Sequence, residues 1–402
     1  MQIAHRYDAV RPESHCEIAM TRNGGLSQLR CSNLTTGVLV FLALVIIGAP
    51  AHADVQRIEL KTNPLVWNPE DRSETRAGEL EWAGGIEIKS PTKEFGGWSG
   101  LAINPDGTAM LAVSDEGHWL SAKILYDERG RLSGIAEGRM APMLGLDGEP
   151  VAGKMLGDAE GLVVDTDEPL AGQAYVSFER AHRIWRYDLG ADGFMARPEQ
   201  LLTQRHFGRL NSNGGIESIE LLPPADADGE PRILAFTEDT LDPRGNIKAF
   251  VADGHDISWF ALRPRAPYKP TDIARLPNGD LLVLERRFSM LAGVGMQLRL
   301  IDKDDIIPGA VVDGEVLIDV GQRYSIDNME GLAVREDKNG DLLIYMLSDD
   351  NFNMLQRTLL LMFRLKGDIS AAVGPVRLPR NPTAGELSGA TFRSEQAEAA
   401  PN

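Results

Sequence analysis

The sequence predicts an all-β chain folded as a single β-propeller of four-stranded blades. A motif recurs five times: a carboxylate or hydroxyl, a small residue, then a strand-like apolar run. The copies begin at Ser99, Glu160, Glu217, Asp272 and Glu330, at steps of 61, 57, 55 and 58 residues. A near-constant step of this size marks one supersecondary unit repeated. Each copy is followed by a second apolar run with a charged end, as in Met110–Glu116, Ala174–Arg180, Ile233–Asp239, Leu281–Arg286 and Leu343–Asp350. Turn signals such as Asn104-Pro105-Asp106-Gly107 and Pro277-Asn278-Gly279-Asp280 separate the runs. Such signals between apolar runs read as hairpins, and no long helical period interrupts them.

The elements follow in chain order. Residues 38–48 form an apolar run with Arg22 and Arg30 before it and Ala51-His52-Ala53 after it. The run is short for a bilayer span and reads as the core of a secretory signal peptide over residues 1–53, with Met20 an alternative start. Cleavage after Ala53 removes both cysteines, Cys16 and Cys31, and leaves no thiol chemistry. Residues 54–78 read as an extended lead-in with a strand at Ile58–Leu60. The propeller domain is expected over residues 79–383 and a disordered tail over 384–402. Repeat two shows four strands most clearly: Gly161–Val164, Ala174–Phe178, Arg183–Leu189 and Glu199–Leu202. Four antiparallel strands per unit make a blade. A strand at Gly84–Lys89, ahead of the first motif, would complete the last blade and close the ring. Five motif-bearing blades are expected. A sixth remains open, because residues 368–379 are unassigned. A two-sheet sandwich, the competing fold, does not explain the repeat.

The formal charge of −18 argues against nucleic acid as a partner and favours cation binding. In a propeller the first strand of each blade lines the central channel. Glu160, Glu217 and Glu330 would then converge at one mouth, with Ser99 and Asp272 at equivalent places and Asp158 and Asn328 two residues upstream. Clustered carboxylates cannot all stay ionised without a counter-charge. Ca²⁺ suits an all-oxygen set with irregular coordination, and no His pair has zinc spacing. The alternative is that each acid bonds a backbone amide or an arginine. At the ends of the second runs, Arg180 and Arg286 match in sequence, with Arg287 adjacent. They read as grips for an anionic substrate or as part of a carboxylate lattice between blades. His118 and His182 each follow an acid (Asp115, Glu179) by three residues. They read as a general acid or base, or as solvated loop histidines. No G-x-S-x-G, phosphate-loop or H-E-x-x-H motif is present, so a hydrolase here would use a metal-activated water.

The string Trp98-Ser99-Gly100-Leu101, Ser114-Asp115-Glu116-Gly117, Asp158-Ala159-Glu160-Gly161-Leu162, Ser177-Phe178-Glu179-Arg180, Gly214-Gly215-Ile216-Glu217-Ser218-Ile219 and Asn328-Met329-Glu330-Gly331-Leu332 resembles the bacterial phytase-like family, named for the esterase-like activity of phytase. The likeness covers about residues 80 to 366. It implies an exported propeller, distantly similar to calcium-dependent phosphoesterases of propeller fold. It places the family's acidic positions on Asp115, Glu160, Glu179, Glu217 and Glu330. The expected protein is a periplasmic or secreted monomer with no membrane span after cleavage, acting on a small anionic or ester substrate. Its expected metal ligands are Asp115, Asp158, Glu160, Glu179, Glu217, Asp272, Asn328 and Glu330. One of Glu160, Glu217 and Glu330 would be the base, and Arg180, Arg286 and Arg287 would hold substrate. A non-catalytic binding propeller with a structural metal, and a lactonase-like enzyme, are the alternatives.

Overall fold

The structure is a computed structural model that describes residues 54–151, 153–165, 172–226 and 229–366. The expected signal peptide over residues 1–53, residues 368–379 and the expected tail over 384–402 lie outside the described residues. Among the described residues no helix is long and apolar enough to cross a membrane.

Twenty strands form five antiparallel blades. Blade 1 comprises Trp98–Ile103, Ala109–Ser114, His118–Tyr126 and Leu132–Pro142. Blade 2 comprises Ala159–Val164, Gln173–Phe178, Arg183–Asp188 and Pro198–Thr203. Blade 3 comprises Ile216–Leu222, Arg232–Leu241, Ile247–Asp253 and Asp256–Leu262. Blade 4 comprises Lys269–Arg275, Leu281–Ser289, Gly293–Ile301 and Glu315–Gly321. In blade 5, Asn328–Glu336, Leu342–Asp349 and Thr358–Leu365 are completed by Leu80–Lys89 from the other end of the domain. The expected closing strand is therefore present and begins four residues earlier than Gly84. The first strands touch in the order 1-2-3-4-5-1, a closed ring. Five apolar clusters fill the five spaces between neighbouring blades, so no interface is left for a sixth blade.

Five blades make a narrow axis, and the small residue of the motif follows from that. A Cβ on Gly161 would lie 2.9 Å from the Ile219 nitrogen, and one on Gly100 2.9 Å from the Leu162 nitrogen. Neighbouring first strands approach so closely that a side chain there meets backbone.

The lead-in is part of the fold rather than a loose extension. Its strands are Gln56–Arg57 and Lys61–Pro64, flanking the expected Ile58–Leu60, and Arg76–Ala77; the first pairs with blade 1 and the other two with the closing strand. Ile58 and Leu60 pack on the cluster between blades 5 and 1. Trp67 is fully buried, stacked 4.6 Å from Tyr324 and 5.5 Å from Trp82. Aromatic burial of this kind holds the closing strand against blade 5 from outside.

Candidate metal and ester site

Each first strand carries a β-bulge at the same place: Ser99, Glu160, Glu217, Thr271 and Glu330. A bulge re-aims one side chain out of the pleat, here at one mouth of the channel. Two further positions per blade reach that mouth, the residue two before the bulge and the residue opposite it on or just past the second strand. They pair as Gly97 with Asp115, Asp158 with Glu179, Gly215 with Glu238, Lys269 with Arg286 and Asn328 with Asp349.

This register corrects blade 4 by one residue. Thr271, not Asp272, stands in the place of Glu160. Asp272 occupies the small-residue position and reaches the next blade, where its carboxylate accepts from the Leu332 N–H at 2.6 Å and the Ile273 N–H at 2.9 Å. Both oxygens are thereby committed to backbone, which removes Asp272 from the expected ligand ring. Arg286 likewise stands in an acid's place, and the register partner of Arg180 is Arg287.

Blade 2 holds the densest set of carboxylates. One oxygen from each of Asp158, Glu160 and Glu179 lies within 4.8 Å of the others. Glu179 accepts from the Gly214 and Gly215 N–H groups of blade 3, the latter at 2.9 Å. Asp158 accepts from Arg180 Nε at 2.5 Å. Burial outweighs that arginine and pushes the Asp158 carboxyl up to about 6. Glu160 and Glu217 are raised well above the ordinary glutamate value, by burial first and then by neighbouring carboxylates. Beside them, Asp115 binds Lys154 Nζ at 2.6 Å through one oxygen, while its other oxygen is buried without a partner.

The cations of blade 4 are compensated by the acids of blades 3 and 5 on either side. Arg286 Nε lies 2.7 Å from Glu330, and its terminal nitrogen lies 3.4 Å from Glu238. Asn328 donates to the same Glu330 oxygen at 2.7 Å. Burial still lifts the Glu330 carboxyl to about 7. Lys269 binds Asp239 at 3.0 Å and Glu238 at 3.5 Å. Asp349 is raised well above the ordinary aspartate value by burial and by Glu330.

The remaining expected residues stand apart from the carboxylates. Arg287 turns away to donate to the Tyr268 hydroxyl at 3.0 Å, within a chain that runs on to Asp319. His182 is buried, with Nε2 2.8 Å from the Asn211 carbonyl oxygen. Its ring fills the space where a Cβ on Gly215 would sit, so it props the loop whose N–H groups hold Glu179. His118 sits at the start of its strand with a buried, unpartnered Nδ1. Burial lowers the proton affinity of both histidines. Lys154, Lys269 and Thr271 are mouth residues that the sequence reading missed. The spacing of Asp158 and Asn328, two before their bulges, would have found Lys269 once Thr271 was aligned. A cavity of about 400 Å³ on the other face, lined by Arg232, Arg275 and Lys303 among others, is remote from these carboxylates.

With these residues the mouth can hold a hard cation through oxygen and offer Arg180 and Arg286 to an anion beside it. No curated protein matches the chain. Among solved structures it overlays loosely on the endo-arabinase of Bacteroides thetaiotaomicron (14% identity, 69% of this chain and 97% of that one, TM-score 0.39). It also overlays on Sqt1 of Saccharomyces cerevisiae (12%, 72% and 81%, TM-score 0.33). A third is a putative oxidoreductase, described as a glucose dehydrogenase, of Thermus thermophilus (14%, 76% and 100%, TM-score 0.32). Overlays this loose say nothing of activity. The model of the phytase-like family, described as esterase-like activity of phytase, matches residues 93–352, which takes in every mouth position of all five blades, and the chain belongs to that family.

Proposed function

We propose that the chain is an exported, Ca²⁺-dependent hydrolase of phosphoesters or carboxyl esters, working at the mouth beside blade 2. The observation that carries this reading is the convergence of Asp158, Glu160 and Glu179 within 4.8 Å. All three donors are carboxylates, which suits a hard cation of irregular coordination. The buried, unpartnered oxygen of Asp115 stands next to the set and supplies a fourth oxygen. When bound, the ion supplies Lewis acidity and lowers the proton affinity of a coordinated water.

The chain's own residues have separable tasks. Asp158, Glu160 and Glu179 hold the ion, and the Gly214-Gly215 N–H groups fix Glu179. Glu217 is the base. It lies outside the triad, forms no ion pair with an arginine among the described residues, and has its proton affinity raised by burial and by neighbouring carboxylates. Glu330, tied to Arg286 and Asn328, is a poor base by comparison. Arg180 and Arg286 face the anionic or carbonyl oxygens of the substrate. Export places the enzyme in the periplasm or outside the cell, as a monomer acting on small esters.

One observation favours a second reading, a binding propeller with a structural ion: both arginines already have carboxylate partners. Turnover of p-nitrophenyl phosphate, bis(p-nitrophenyl) phosphate and p-nitrophenyl acetate, with Ca²⁺ and with a chelator, separates the two. Calcium-dependent turnover of any of them is expected. A chain whose melting midpoint rises with Ca²⁺ but which turns over none of the three is a binding module toward these ester classes. A midpoint that neither Ca²⁺ nor chelator moves overturns the ion itself.

A further inference from the structure

Exposed apolar side chains are distributed on one face. Among the described residues, the large apolar side chains more than 60% exposed are Met155, Phe288, Met290, Leu291, Met354 and Leu355. All six sit on the mouth face. Met155 lies in the segment that enters blade 2, next to Lys154, which binds Asp115. Phe288, Met290 and Leu291 form the hairpin between the second and third strands of blade 4. Met354 and Leu355 form the corresponding hairpin of blade 5. The two hairpins carry the same string, Phe-x-Met-Leu, as Phe288-Ser289-Met290-Leu291 and Phe352-Asn353-Met354-Leu355. The entry to blade 2 has its own Met155-Leu156 pair. The four hairpin Met and Leu side chains are 90–101% exposed, so they project from the face instead of lining a groove.

The blade 5 hairpin is joined to the site. Phe352 packs against Gly96 and Gly97, and Gly97 lies against the Asp115 carboxylate. Asn351 and Phe352 hold left-handed backbone, at φ of 48° and 49°. Side-chain-bearing residues adopt that conformation only where the surroundings impose it. The N–H groups of Asn351 and Phe352 are bound by Asp349 and Asp350, at 2.6 and 3.1 Å. The tip is thus held upright beside the mouth.

We infer that the mouth face docks on a zwitterionic lipid surface through these Met-Leu tips. Separate projecting tips suit a yielding apolar phase, whereas a protein partner would need a matched pocket for each. Methionine adapts to an irregular apolar medium, and interfacial binding scales with the apolar area inserted. Residues 288–297 and 351–356 carry no charge, and the chain is acidic overall, so an anionic surface is not the complement. The esters presented to the site are then those of lipids. That last step rests on the proposed hydrolase, while the docking does not.

The test uses Leu291→Trp and Leu355→Trp in the full chain, with vesicles of phosphatidylcholine and of its brominated form. The added tryptophan is expected to shift to the blue on vesicle binding and to be quenched by bromine, in low and high salt alike. A companion chain with Met290→Ser, Leu291→Ser, Met354→Ser and Leu355→Ser shares residues 1–53, so its loss of vesicle partition isolates the tips. About tenfold weaker partition is expected, with turnover of soluble esters unchanged. Added tryptophans that stay at their aqueous emission on vesicles overturn the inference. So does a parent that dimerises through the tips, with the companion monomeric and the tryptophans unquenched. Docking without turnover of any ester leaves the lipid surface standing and removes only the hydrolase.

Discussion

Blades 2 and 4 share one backbone and invert each other's charge. Asp158, Glu160 and Glu179 of blade 2 stand where blade 4 has Lys269, Thr271 and Arg286, in matching ladder register. The cations of blade 4 are directed outward along the ring, to Glu238 of blade 3 and Glu330 of blade 5. The acids of blade 2 have Arg180 on Asp158 and backbone N–H groups on Glu179, with nothing comparable on Glu160. Fivefold repetition builds the channel, and the inversion of one blade divides its mouth into a compensated half and a half short of positive charge. The proposed cation would sit in the second half, where Asp158, Glu160 and Glu179 converge.

The largest effect is expected inside blade 4. Its inverted charge continues into the core, where Glu285 and Arg299 are both fully buried and 2.5 Å apart. The equivalents of Glu285 in the other blades are Ser114, Phe178, Thr237 and Ser348, so the pair is peculiar to this blade. Arg299 also donates to the Arg263 and Asp313 carbonyl oxygens. Arg299→Met leaves Glu285 buried and unpaired, at a cost of about 3–5 kcal/mol. Urea unfolding measures it. A loss under about 1 kcal/mol would mean that the charged half of blade 4 is not held by this pair.

Blade 2 should show its effect in binding instead. Glu160→Gln is expected to weaken Ca²⁺ by roughly 100-fold, at the upper end of what is lost when groups behind a ligand are removed. Calcium titration followed by melting midpoint reads it. Retained affinity would move the ion away from blade 2.

The two halves also set the pH response. Asp158 and Glu330 have folded-state values of about 6 and about 7, above their ordinary 3.8 and 4.5. A carboxyl raised in the folded state contributes stability that is complete below its unfolded value and lost as pH rises through its folded one. Without cation, the protein should therefore lose stability between about pH 4 and 7. A cation that competes with the Asp158 proton should stabilise more at pH 8 than at pH 5. Melting midpoints with and without Ca²⁺ across that range check both signs. An equal calcium response at the two pH values would separate the ion from Asp158.

The ring was legible because its signals are periodic: motif spacing, paired apolar runs and Asx-Gly turns all follow from strand geometry. The acids of blade 2 were legible because their motif is intact. Blade 4 misled because Asp272 is an acid at nearly the right step, and only the bulge at Thr271 shows that it is one residue late. Bulge position depends on which N–H pairs across the ladder, and a one-residue slip turns a side chain to the other face without changing composition. Arg287 failed for the same reason. Trp67 and the Phe-x-Met-Leu hairpins escaped notice because neither belongs to the repeat. Their meaning depends on what lies above and beside the ring.

The smallest predicted effect is the sharpest test of the inversion. Thr271 sits in the bulge that Glu160 occupies in blade 2, but its hydroxyl donates to the Met329 carbonyl oxygen at 3.1 Å and so joins blade 4 to blade 5. Thr271→Ala removes that bond between blades, which costs about 1 kcal/mol. The calcium response should not change, because no carboxylate is lost and Arg286 stays in place. Glu160→Gln should do the opposite, with little loss of stability in chelator and most of the calcium response gone. A calcium response that falls in Thr271→Ala would make blade 4 part of the ion's surroundings and end the division of the mouth into two halves.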